Sequence, residues 1–140
     1  LLGIDPGANG AAVLIDKDGK IVDQCLFKSS TEHDIWDFFS FDLKAKFCYL
    51  EKTHSSPQMG VRSAHTFGLQ TGFLRGMLIA SSTPFDLVLP AKWQKAMGCM
   101  TRGDKNVSKQ RAQELFPEFK ITHANADAIL IAEHCRRCRA

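Results

Sequence analysis

Three acidic side chains stand where an apolar run of the sequence begins or ends. Asp5 closes the first run and is followed by a Pro-Gly pair that stops a strand, Glu51 closes a later run, and Asp127 precedes another. His123 lies four residues before Asp127, on the same face if a helix begins there. Converging acids repel one another without a cation, and oxygen-rich donors favour magnesium or manganese. We therefore expect a divalent-metal site.

Each acid taken alone has an ordinary structural explanation. Asp5 could cap a turn, Glu51 could end a strand in solvent, and Asp127 could begin a helix favourably with its dipole. The placement of all three beside apolar runs favours a shared site over these separate explanations.

The elements that must position these residues follow from hydrophobic periodicity and turn signals. Strands are predicted at residues 1–5, 11–16, 20–27, 47–51 and 85–89. Helices are predicted at about 31–46, 63–80, 92–97, 107–116 and 125–137. Thr31 is a candidate N-cap, and Asp18-Gly19 supplies a hairpin turn between the second and third strands. This order indicates an α/β domain with a mixed five-stranded sheet flanked by helices.

A glycine stripe marks the long second helix. Gly68, Gly72 and Gly76 recur every four residues, although glycine is unfavourable within a helix. We interpret the stripe as a place of close packing against a neighbouring element.

The composition is that of one globular domain, residues 1–140, with 44% hydrophobic and 24% charged residues. The most apolar stretch, 73–80, is too short to span a bilayer, so we expect no membrane partner. Five scattered cysteines favour reduced thiols over disulfides, and Cys135 and Cys138 lack the second pair of a typical structural zinc site. We expect a cytoplasmic protein of bacterial or phage origin, or an organellar one, and no secretion signal.

Three motifs resemble the acidic motifs of the RuvC-type Holliday junction resolvases, in the same order and at suitable spacing. They are Gly3-Ile4-Asp5-Pro6-Gly7, Leu50-Glu51 and Ala126-Asp127-Ala128-Ile129-Leu130-Ile131-Ala132. Bacterial members commonly have an acid or histidine three residues before the last aspartate, where this chain has Ala124. His123, one residue earlier, is similar to the arrangement in the plant chloroplast and some phage resolvases.

The resemblance implies an RNase H-like fold and a crossover junction endodeoxyribonuclease that hydrolyses phosphodiester bonds with two Mg²⁺ ions, for which Mn²⁺ could substitute. It implies that Asp5 bridges the ions, that Glu51 and Asp127 complete one ion each, and that His123 binds metal or moves a proton.

The resemblance also implies branched DNA as the partner and a homodimer formed through the helix at 63–80. Lys92, Lys105 and Lys109 match positions that face DNA in the family. The loop at 53–62 corresponds to one that approaches the junction centre, where His54, Gln58 or Arg62 would contact bases or phosphates.

Three other classes remain open at this stage. Other RNase H-like nucleases that act on RNA or on branched and flap DNA share the acids. ATP-dependent kinases or chaperone-like ATPases also begin with a strand, an aspartate and glycines, but need a second domain. A non-enzymatic junction-binding module would normally have lost an acid.

Overall fold

The computed structural model describes residues 1–42 and 45–140, and its elements follow the predicted order and types. The strands are β1 (Leu2–Asp5), β2 (Ala11–Ile15), β3 (Ile21–Leu26), β4 (Cys48–Glu51) and β5 (Phe85–Val88). The helices are α1 (Glu32–Asp37), α2 (Val61–Ala80), α3 (Pro90–Met97), α4 (Lys105–Leu115) and α5 (Ala126–Arg139).

The five strands form one mixed sheet in the order β3-β2-β1-β4-β5. β1, β2 and β3 are antiparallel neighbours, whereas β1, β4 and β5 run parallel. Gly19 has the positive φ of 89° expected in the β2–β3 turn. Because β1 and β4 are parallel neighbours, with Ile4 opposite Leu50, their carboxyl ends lie side by side. The predicted sheet is therefore confirmed, and it brings the ends that carry Asp5 and Glu51 together.

The alternation of side chains along each strand determines on which face of the sheet Asp5 and Glu51 lie. Leu2, Ile4 and Leu50 pack on the face covered by α1 and α2, whereas Tyr49 belongs to the core beneath α3, α4 and α5. Successive side chains of a strand point to opposite faces. Asp5 and Glu51 therefore belong to the face covered by α3 and α5.

Gly3 allows α5 to lie directly on β1. A Cβ at this position would be 2.2 Å from the backbone nitrogen of Ala132 and 2.4 Å from the carbonyl oxygen of Ala128, so no larger residue fits without a shift of α5. α5 is buried along most of its length, including the run from Ala128 to Cys135. This close approach sets the height of α5 above the strand that ends in Asp5.

The predicted helix over residues 31–46 is shorter and less regular than expected. Thr31 is its N-cap, with its hydroxyl accepting from Asp34 N and the Asp34 carboxylate accepting from Thr31 N. The α-helix continues only to Asp37, after which Phe38–Asp42 forms a π-helical turn. Leu43, assigned to the apolar face of the predicted helix, lies outside the described residues.

The interpretation of the glycine stripe as a contact within this chain is wrong. A Cβ at Gly68, Gly72 or Gly76 would meet no heavy atom within 4 Å. α2 buries Leu74 and Leu78 against the sheet, while the stripe lies on the opposite face. That face also carries Val61, Leu69 and Ile79, which are 89%, 66% and 69% exposed.

Two helix boundaries differ from prediction in ways that affect the candidate residues, and the start of α5 locates a third candidate. α2 begins at Val61, so Arg62 lies in its first turn and not in the preceding loop. α4 begins at Lys105, which was expected in a loop, because Asp104 caps the helix by accepting from Asn106 N. α5 begins only at Ala126, so His123 precedes the helix. Among the described residues, no helix has the length and apolar character needed to cross a membrane.

Candidate active site

The site is built at the shared carboxyl edge of β1 and β4, under the first turn of α5. Asp5 is the last residue of β1, Glu51 is the last residue of β4, and Asp127 is the second residue of α5. All three are partly buried, and Asp127 raises the pKa of both other acids through its charge. The structure therefore brings together the three carboxylates singled out from the sequence.

Asp5 is held in place by the loop that follows it. Its Oδ1 accepts a hydrogen bond from Gly7 N at 3.2 Å. Gly10 packs so closely that a Cβ there would be 2.2 Å from the Asp5 carbonyl oxygen and 2.9 Å from its Cγ. The glycines at 7 and 10 thus leave room for a partly buried carboxylate at the strand end.

The pKa of Asp5 is raised from 3.8 to about 6. Burial is the main cause and repulsion by Asp127 adds to it, while the Gly7 N–H and the positive charge of Lys105 act in the opposite direction. Without a counter-charge, the ionised form of Asp5 is thus disfavoured at this edge of the sheet.

Glu51 is similarly perturbed but has a specific partner. Its Oε2 accepts a hydrogen bond of 2.6 Å from the indole Nε1 of Trp93, a fully buried residue of α3. Burial, with repulsion by Asp5 and Asp127, raises the pKa of Glu51 to about 7, while the Trp93 hydrogen bond acts to lower it. Sequence patterns indicated Glu51 but gave no sign that Trp93 would contact it.

The chemistry of this donor set fits a hard divalent cation. The set consists of carboxylate oxygens whose mutual repulsion and burial disfavour their charges, and a cation would remove that penalty. Within the described residues, no group of three His, Cys, Asp or Glu side chains is already arranged to hold one ion. Asp5, Glu51 and Asp127 are thus the residues that would hold a metal, after side-chain adjustment around it.

Of the four candidate metal ligands, His123 is the one that the structure does not bring together with the three carboxylates. It is exposed in the turn that leads into α5, so the shared helical face with Asp127, which required a helix that begins at His123, does not form. In this turn Asn125, rather than His123, organises the backbone: its Oδ1 accepts from Thr122 N, and its Nδ2 donates to the Lys120 carbonyl and to Gln24.

The three candidate DNA-binding lysines lie on α3 and α4. Lys105 lies close enough for its charge to lower the pKa of Asp5, and Lys92 is exposed on α3. Lys109 lies half-buried one turn after Lys105. Of these three lysines, Lys105 alone has an electrostatic effect on one of the carboxylates, that of Asp5.

The residues predicted around the loop after Glu51 are exposed, namely His54, Gln58 and Arg62. The Thr53 hydroxyl lies 3.3 Å from that of Thr71, which ties the loop to α2. His54 also lines a pocket of about 220 Å³ between this loop and α2, together with Arg75.

The arginines at the end of α5 are engaged in ion pairs. Arg136 and Arg137 pair with the buried Glu133 at 2.7 and 2.8 Å, and Arg139 pairs with Asp86. These three arginines are therefore paired with acidic side chains of the same chain.

Comparison with known proteins identifies the fold. No protein-family model matches the sequence, and no curated protein matches it. The solved structure of RuvC from Thermus thermophilus, however, aligns with 99% of this chain and 94% of its own, with a TM-score of 0.69 at 17% identity. T. thermophilus RuvC in complex with a Holliday junction substrate aligns over the same shares, with a TM-score of 0.71 at 15% identity. The chain has the RuvC fold.

The predicted RNase H-like class is therefore confirmed, with the RuvC fold covering nearly the whole described chain. The low identity explains why the sequence searches found no match while the structures align. In this RuvC fold, the three acids occupy neighbouring element ends on one face of the sheet.

Proposed function

We propose that this chain is a structure-selective endonuclease that resolves four-way DNA junctions by metal-dependent phosphodiester hydrolysis. The observation that carries the proposal is the meeting of Asp5, Glu51 and Asp127 at the carboxyl edge of β1 and β4, in the RuvC fold. The T. thermophilus RuvC structure with a Holliday junction supports the choice of substrate. The motif resemblance to the plant chloroplast and phage resolvases supports placing the chain nearest that branch.

Different residues at this edge of the sheet have different roles in the proposed reaction. Asp5, Glu51 and Asp127 would hold Mg²⁺, or Mn²⁺ in its place, and two such ions supply activation of water and stabilisation of the leaving oxygen. The N-terminus of α5, next to Asp127, adds its positive dipole end to the attraction of a phosphate. Lys105, whose charge acts to lower the pKa of Asp5, would neutralise a phosphate oxygen at the site.

His123, exposed in the turn that leads into α5, has a proposed role as an imidazole that binds metal or transfers a proton. Replacing His123 with alanine should slow cleavage without preventing junction binding. Cleavage at the wild-type rate would remove His123 from the site.

The exposed face of α2 supports a homodimer. Three glycines without neighbours lie beside exposed Val61, Leu69 and Ile79, so a second copy could approach the helix backbone closely. A symmetric dimer would present two active sites to the two strands that must be cut. The remaining candidate DNA contacts, at exposed or half-buried positions around the site and α2, are Lys92, Lys109, His54, Gln58 and Arg62.

Cleavage assays on three substrates test the proposal. A four-way junction, a linear duplex of the same sequence and an RNA–DNA hybrid are incubated with the protein in Mg²⁺, with EDTA as a control. Selective, paired cutting of the junction is expected. Equal cutting of junction and duplex would contradict junction resolution, and preference for the hybrid would favour an RNA-directed nuclease of the same fold.

A further inference from the structure

The contact between Trp93 and Glu51 joins two parts of the chain that are 42 residues apart. Trp93 is 0% exposed, and the indole N–H is a donor that requires a partner when buried. Its partner is the Glu51 carboxylate, whose Oε2 accepts the hydrogen bond at 2.6 Å. Among the described residues, the largest fully buried side chain thus donates a hydrogen bond to a candidate metal ligand.

The position of Trp93 is fixed by the ends of α3. Pro90 is the first residue of the helix, and the Leu89 carbonyl accepts from Trp93 N at 3.3 Å. Gly98 ends the helix with φ of 69°, a left-handed conformation that suits glycine. Trp93 and Met97 then pack in the core beneath α5. Because the indole ring is held rigidly in this way, its N–H points in a single direction.

The same hydrogen bond makes the two carboxylate oxygens of Glu51 different, because only one of them is its acceptor. Among the described residues, Trp93 is the single hydrogen-bond partner of the Glu51 side chain, and it contacts Oε2. Oε1 is left without a protein donor. A carboxylate with one oxygen fixed by the protein and the other unengaged is oriented for a cation.

We propose that Trp93 is a positioning residue that holds the Glu51 carboxylate for metal binding, with its indole N–H on Oε2 and Oε1 left as the ligand atom. This inference rests on the proposed metal-dependent function and adds a residue to it. Removal of a group that orients a metal ligand typically costs about 10- to 100-fold in metal affinity or activity.

The first test compares Trp93→Phe with Met97→Ala. Phenylalanine keeps an aromatic ring but lacks the N–H, whereas Met97→Ala removes core volume one helical turn away, at a residue that is 1% exposed. Calorimetric titration with Mn²⁺ alone should show affinity about 10-fold or more lower for Trp93→Phe. Met97→Ala should bind Mn²⁺ like the wild type, although its stability falls.

A cleavage measurement on junction DNA should show the same separation. Trp93→Phe should lower kcat and leave the KM for junction DNA unchanged, because it alters the metal ligand and not the DNA contacts. Equal losses for Trp93→Phe and Met97→Ala would overturn the inference, since they would show a purely structural effect.

The second test observes the bond in the folded wild-type protein. The indole N–H resonance of Trp93, assigned by comparison with Trp36→Phe, should be protected from solvent exchange and should shift in Glu51→Gln and on addition of Mg²⁺. If the chemical shift of this resonance changes neither in Glu51→Gln nor on addition of Mg²⁺, the inference is overturned. A wild-type protein that neither binds Mn²⁺ nor cleaves DNA would overturn the proposed function as well, whereas normal binding and cleavage by Trp93→Phe would overturn only the role of Trp93.

Discussion

Replacing Asp5 with asparagine should stabilise the metal-free protein at neutral and alkaline pH. The folded structure raises the pKa of Asp5 from 3.8 to about 6, chiefly by burial and then by repulsion from Asp127. At about 1.4 kcal/mol per pKa unit, this rise corresponds to roughly 3 kcal/mol of destabilisation when Asp5 is ionised. Asparagine removes the charge and keeps an oxygen that can accept from Gly7 N.

The sign of the pH dependence follows from proton linkage. Between pH 4 and 6 the folded state binds more protons at Asp5 than the unfolded state does, so the stability of the wild type falls as pH rises through this range. The advantage of Asp5→Asn should therefore be only about 0.5 kcal/mol at pH 4, grow to about 3 kcal/mol by pH 6 to 7, and remain constant at pH 8.

Urea unfolding in EDTA at pH 4 and pH 8 measures this difference. Asp18→Asn, at an exposed turn position, is the matched control and should show no such pH-dependent gain. Addition of Mg²⁺ at pH 8 should stabilise the wild type more than Asp5→Asn, because a ligand stabilises the state that binds it. The reasoning would be refuted if Asp5→Asn were no more stable than the wild type at pH 8, or if its gain were equal at both pH values.

Three further predictions concern packing, assembly and DNA contact. Gly3→Ala should cost about 3 kcal/mol or more in thermal unfolding, because its Cβ would lie 2.2 Å from a backbone nitrogen of α5. Gly60→Ala, where a Cβ meets no atom within 4 Å but the N-cap of α2 changes, should cost about 1 kcal/mol or less; equal effects would contradict the packing. Leu69→Glu, on the exposed face of α2, should yield monomers in sedimentation experiments, and an unchanged oligomeric state would place any interface elsewhere. Lys105→Ala should weaken junction binding and reduce the slope of log affinity against log salt by about one, as expected for one lost phosphate contact; an unchanged slope would exclude that contact.

The sheet and its active edge could be predicted because local signals agreed with the tertiary structure. Apolar runs ended by a Pro-Gly pair or an acid located β1 and β4. That their carboxyl ends lie together is shown by the pairing of the two strands in the structure. Periodicity also gave the core face of α5. These are properties of neighbouring residues and therefore visible in one sequence.

The parts that could not be predicted depend on contacts between distant segments. The Trp93 N–H reaches Glu51 across 42 residues, and the sequence placed Trp93 only within a short predicted helix. The glycine stripe predicted close packing against a neighbouring element, whereas a Cβ at Gly68, Gly72 or Gly76 meets no heavy atom within 4 Å. For His123, the decisive fact was a helix boundary two to three residues away, and boundaries are the least certain feature of a sequence pattern.

The most direct test of the central claim is single-turnover cleavage of a four-way junction by wild type and Asp5→Asn, with junction binding measured in parallel. If Asp5, Glu51 and Asp127 hold the metal, the wild type should cleave only when Mg²⁺ or Mn²⁺ is added. Asp5→Asn should bind the junction with similar affinity but cleave it at least about 1000-fold more slowly, a loss of roughly 4 kcal/mol in transition-state stabilisation. Cleavage by Asp5→Asn at a rate near the wild type, or undiminished wild-type cleavage in EDTA, would contradict the claim.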